Sequence, residues 1–109
     1  MDALRATPAA LATLIDYAAG GIVSKVLLKQ PAGSVTLFAF DAGQELSEHT
    51  APFDALVYLV EGSAVVTISG KANRLGPGET VLMPANEPHA LKALQPFKML
   101  LIMIRGPGN

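Results

Sequence analysis

Residues 43–62 read G-Q-E-L-S-E-H-T-A-P-F-D-A-L-V-Y-L-V-E-G, and residues 78–93 read G-E-T-V-L-M-P-A-N-E-P-H-A-L-K-A. Each stretch starts on a glycine, passes a proline-bearing turn and holds one histidine, His49 in the first and His89 in the second. Each also carries a short apolar run, Ala55–Val60 and Thr80–Met83, of strand length rather than helix length. Turn, short strand and turn again is the texture of an all-β chain.

The same texture extends outward from both stretches. Ile22–Lys29 and Val35–Phe40 precede the first, Ala64–Ser69 lies between them, and His89–Leu94 and Lys98–Ile104 complete the run. Seven short strands at roughly 8–12-residue spacing predict a sandwich or barrel. No helix-length period separates them, which argues against βαβ units. Residues 1–21 are alanine-rich and end on Gly20-Gly21; they are expected to be an arm or a short helix opened by Pro8, with Leu11, Leu14 and Ile15 on one face. Residues 22–106 are expected to be the barrel. Val35–Phe40 and Leu100–Ile104 are apolar on both faces, so one face needs a cover, and a homodimer is expected to supply it.

Composition narrows the chemistry. The chain has 109 residues, 50% of them hydrophobic, and a net charge of −1 from eight basic and nine acidic side chains. That leaves no basic field for a nucleic acid. No apolar run approaches the roughly 20 residues of a membrane-spanning helix, and the acid-bearing start is unlike a signal peptide, so a cytoplasmic protein with no membrane partner is expected. Without cysteine there is no disulfide, thiolate metal site or thiol nucleophile. No serine sits in an arrangement suggesting a triad, and Gly76-Pro77-Gly78 lacks the spacing of a phosphate loop.

The two stretches resemble the paired motifs of the cupin superfamily, and the chain as a whole is similar to small single-domain bacterial cupins of the RmlC-like type. The first family motif is Gly, five residues, His-x-His, three or four residues, Glu, six residues, Gly; Gly43, His49 and Gly62 fall on it. The second is Gly, five residues, Pro-x-Gly, two residues, His, three residues, Asn; Gly78, Pro84 and His89 fall on it. The resemblance implies a jelly-roll β-barrel, also called a double-stranded β-helix. It further implies a divalent metal in the barrel mouth, held by the histidines and glutamate.

At that site the chain departs from the pattern. The second histidine position is Ala51, the glutamate position Ala55 and the asparagine position Ala93, while Asn86 stands where the second motif has glycine. Of the implied ligands only His49 and His89 remain, so any divalent transition metal is expected to be weakly bound, with no cofactor tightly held. Asp54 is the nearest carboxylate to the missing one, and reads first as a turn or interface hydrogen-bonding group. Glu45 and Glu48 read as a solvated loop rim, and Tyr58 as outer-face packing. Met83, Met99 and Met103 read as gap-filling core; Phe38, Phe40, Phe53 and Phe97 read as core or interface.

Alanine at ligand positions makes a barrel mouth roomier and more apolar. The expected function is binding of a small, mainly apolar molecule in a pocket of His49, Ala51, Ala55, Val57, Leu59, Met83, His89 and Leu91. This reading leans away from an enzyme. Two alternatives stand beside it: a metal-dependent oxygenase or isomerase using His49, His89 and a non-standard third ligand, and an interaction module whose barrel is filled by side chains.

Overall fold

The computed structural model describes residues 4–105. The ends of the expected arm (residues 1–3) and barrel (residue 106), with the terminal Gly106-Pro107-Gly108 turn, lie outside the described residues. Among the described residues nine strands form: β1 (Ile22–Gln30), β2 (Gly33–Phe40), β3 (Glu45–His49), β4 (Asp54–Glu61), β5 (Ala64–Ile68), β6 (Lys71–Leu75), β7 (Thr80–Met83), β8 (His89–Ala93) and β9 (Phe97–Ile104). They make two antiparallel sheets, a five-stranded one ordered β1-β2-β9-β4-β7 and a four-stranded one ordered β3-β8-β5-β6. The two sheets form the expected jelly roll. No helix among the described residues is long and apolar enough to cross a membrane.

Alternation decides what fills the space between the sheets. On β4, Ala55, Val57 and Leu59 face inward and are buried, while Tyr58 faces out, as expected of it. Their register partners on β9 are Met103, Leu101 and Met99, and those on β2 are Ser34, Thr36 and Phe38. The opposite sheet contributes Leu91 and Ala93 from β8, Ala64 and Val66 from β5 and Leu75 from β6. Phe40 and Phe97 stack with ring centroids 4.5 Å apart at the closed end.

Two strands exceed the seven expected. Both β3 (E-L-S-E-H) and β6 (K-A-N-R-L) are edges of the four-stranded sheet. An edge strand faces water along much of its length and tolerates charge, so β3 keeps only Leu46 packed against the core and β6 buries only Leu75. Glu45 and Glu48 therefore belong to a strand, where they remain exposed, and not to a loop.

The expected short helix is a single 3₁₀ turn, Leu11–Leu14, with Ala10 and Ile15 both extended. The turn ends where Ile15 goes extended. Two lysines hold it on the sheet, Lys98 Nζ donating to the Ala12 carbonyl at 2.6 Å and Lys25 Nζ to the Leu14 carbonyl at 3.0 Å. Ile15 is buried with Leu37 and Ala39, and Leu11, Leu14 and Tyr17 pack around them on the outer face of the five-stranded sheet. Tyr17 Oη donates to Glu61 Oε2 at 2.6 Å, which closes the clasp. Part of the cover expected from a partner is thus supplied by the chain's own arm.

Gly62 turns β4 into β5 at φ +87°, and an added Cβ there would fall on the Pro96 carbonyl oxygen and against Phe97. Gly70 has a similar φ, +81°, with open space around it. Gly62→Ala is expected to lower stability by at least about 2 kcal/mol in urea denaturation, since it combines left-handed strain with overpacking. Gly70→Ala is expected to cost about 1 kcal/mol, from strain alone.

Candidate functional site

The open end of the barrel is built by the chain on either side of two turns. Pro84-Ala85-Asn86 follows β7, and Asn86 adopts φ +66°, a left-handed geometry that asparagine tolerates in place of glycine. Its amide donates to the Ala51 carbonyl at 2.7 Å. The Ala85 amide donates to Asp54 Oδ1 at 2.9 Å, so Asp54 serves as a hydrogen-bond acceptor at the start of β4, as its position suggested. These two bonds lace together the segments that carry the histidines.

His49, at the end of β3, and His89, at the start of β8, are register partners across the strand pair. Their Nε2 atoms lie 3.1 Å apart, with rings edge-on at 70°. Each Nδ1 faces a backbone carbonyl, that of Ser47 at 2.8 Å for His49 and that of Glu87 at 3.2 Å for His89. Three contacts thus need three ring hydrogens, whereas two neutral imidazoles carry two. A single extra positive centre, a proton or a cation, completes the set. His49 is exposed and His89 is buried. Burial holds the His89 imidazole below the usual histidine range; the Glu87 carbonyl opposes that, and His49 adds to it.

A catalytic metal centre takes about three protein ligands. Ala51 and Ala55 offer no donor atom, and among the described residues no three His, Cys, Asp or Glu side chains converge. The donor set fits a loosely held cation on two imidazoles and does not fit a resident three-ligand centre.

Behind the histidine pair lies a cavity of about 240 Å³. Six residues expected at the site line it: His49, Ala51, Ala55, Met83, His89 and Leu91. Val57 and Leu59, also expected there, are fully buried in the core and do not reach it. Six more walls come from residues read as core or interface, or passed over, in the sequence: Phe38, Leu46, Phe53, Met99, Leu101 and Met103. The β9 residues come to the site through register, Met103 and Leu101 pairing with Ala55 and Val57, which the sequence alone does not display.

A family profile described as Cupin domain matches residues 36–104. Among solved structures, a conserved protein of unknown function from Streptococcus pyogenes is 33% identical with a TM-score of 0.89, over 94% of this chain and 90% of that one. A cupin superfamily protein from Desulfitobacterium hafniense is 30% identical with a TM-score of 0.87, over 92% of each chain. A cupin 2 conserved barrel domain protein from Leptotrichia buccalis is 39% identical with a TM-score of 0.83, over 86% of this chain and 46% of that one. By sequence, no protein of curated function matches the chain. Two histidines held by the two glycine-framed motifs, an alternating barrel around them and these likenesses lead to one conclusion: the chain belongs to the cupin family.

Proposed function

We propose that this cupin binds a small, mainly apolar molecule in its barrel mouth, without a tightly held metal. The observation that carries the reading is the 240 Å³ cavity, walled by ten apolar side chains and by His49 and His89. An apolar cavity of about 150 Å³ accepts a benzene-sized guest, so this one suits a guest somewhat larger. The open volume supports the reading over a barrel filled by side chains. The histidines add a polar contact: a neutral pair presents more acceptor nitrogen than it has hydrogens to cover, which suits a hydroxyl on the guest.

A second reading has one observation in its favour. Both Nδ1 atoms are anchored and both Nε2 atoms point at one spot, the arrangement in which neutral imidazoles ligate a metal. A metal-dependent enzyme would draw its third ligand from outside the residues gathered here.

The same proposal pairs two copies of the chain. Beyond the arm's edge, Leu28, Val35, Ile102, Leu56 and Leu82 stand in register as one outward row across all five strands. Leu28 and Leu82 are 49% and 50% exposed. A second copy burying this row face to face is a self-complementary, two-fold arrangement.

Three outcomes test these statements. Protein purified without an affinity tag is expected to contain well under one transition metal per chain by elemental analysis; stoichiometric metal, lost in His49→Ala or His89→Ala, favours the enzyme reading. In sedimentation velocity the chain is expected to run as a dimer and Leu82→Glu as a monomer, whereas a monomeric parent removes the pairing. For pH, the sign follows from His89, whose folded value lies below its unfolded one. The unfolded chain then binds the extra proton first on acidification, so stability is full above about pH 6.5 and falls below it. Urea midpoints are expected to match at pH 7 and 8 and to drop from pH 6.5 towards 5, with a smaller drop in His89→Gln.

A further inference from the structure

Beside the barrel cavity lies a larger open groove, about 560 Å³, that the cavity's own chemistry does not explain. Its charged walls are Lys29 and Arg105, both exposed, and no acidic side chain lines it. Among the described residues neither cation has a carboxylate partner, the one ion pair being Lys98 with Glu61. Ser34 and the buried Thr36 place hydroxyls along the same wall. Groove and cavity share two walls, Phe53 and Met103. The register makes them neighbours on one floor: Ser34 pairs with Met103, Met103 with Ala55 and Ala55 with Met83, a single inward row running from groove to cavity. With strands about 4.8 Å apart, Ser34 to Ala55 is roughly 10 Å. Phe53 stands between the two spaces, with the Arg105 guanidinium carbon 5.7 Å from its ring centroid.

We propose that the groove is the second half of the same binding site and that it receives a carboxylate, so that the ligand is a small amphipathic acid. Its apolar body occupies the cavity between Met83, Leu91 and Met99, and passes Phe53 and Met103. Its carboxylate lies at Arg105 and Lys29, where guanidinium and ammonium donate charge-assisted hydrogen bonds. The proposal rests on the cavity being a ligand site, and adds the ligand's charge, polarity and reach. An apolar cavity alone holds a neutral guest equally well, so the distinguishing quantity is the advantage of an acid over its neutral analogue.

The full chain, labelled with ¹³C-methyl methionine, separates the outcomes, because Met83 and Met99 line only the cavity while Met103 lines both spaces. Octanoate and octanol are the probes, titrated at low salt. Both are expected to shift the Met83 and Met99 methyl signals, with octanoate binding at least about fivefold more tightly and losing that advantage as sodium chloride is raised. Arg105→Gln combined with Lys29→Gln is expected to bring octanoate down to the level of octanol and leave octanol unchanged. Lys71→Gln, on the far edge strand β6, is expected to alter neither. Equal affinity of the two probes for the parent chain overturns the acid proposal and leaves the apolar-ligand reading standing. Octanoate shifting Met103 alone overturns the two-part site. Silence of Met83 and Met99 towards both probes overturns the apolar-ligand reading, and the inference with it.

Discussion

The register of β9 is the constraint on which the other features depend. This strand, F-K-M-L-L-I-M-I, lies at the centre of the five-stranded sheet, paired to β2 on one edge and β4 on the other. Its inward residues, Phe97, Met99, Leu101 and Met103, run from the closed end of the core to the floor of the cavity and the wall of the groove. Its outward residues include Leu100, which meets the arm's cluster, and Ile102, the centre of the outward row. A slip of one residue would exchange these two sets. Pairing on both edges prevents it, so core, cavity, groove and outer face are placed by one alignment. Lys98 is the exception in the strand, and it is accommodated because its ammonium reaches the Ala12 carbonyl and lies 3.9 Å from Glu61.

Electrostatically the site has two unlike ends. At the histidine end, burial works against charge on His89, while the hydrogen-bond geometry is one hydrogen short when both rings are neutral. These two tendencies oppose each other, and the balance leaves a polar point able to accept from a guest near neutral pH. At the groove end Lys29 and Arg105 face water. A guest that is apolar in its middle and negative at one end meets both ends without burying an unpaired charge.

Much of the fold was legible because cupin spacing is set by geometry that the backbone enforces. Gly62 has to pass beside Pro96 and Phe97, and Asn86 has to hold a left-handed turn, so both positions show in the sequence. The edge strands β3 and β6 were hidden, since a strand with one wet edge and one wet face keeps few apolar markers. Alternation correctly turned Val57 and Leu59 inward, but it carries no information on depth, and both lie below the cavity floor. Met103 packs against the core as expected, but that it and Phe53 also wall the cavity was not legible, for a related reason. An aromatic or a methionine at the boundary of a cavity has the same sequence signature as one in the core, and only the opposing sheet decides which it is.

That boundary bears on why the mouth is open at all. Close-packed interiors leave few voids larger than a water molecule, and unfilled apolar volume costs about 24 cal/mol per Å³ where nothing occupies it. The walls around this cavity are not short of bulk, with Phe38, Phe53, Met83, Met99 and Met103 all present. Space persists because Ala51 and Ala55 stand among them, Ala55 between Met83 and Met103 on the same sheet, at the positions where cupins of the usual pattern carry a histidine and a glutamate. Substituting larger apolar side chains there would close the barrel and recover packing energy. Two methyl groups instead leave a lined, accessible volume with a histidine pair at its mouth and a cationic groove at its side, and the proposed amphipathic guest depends on both.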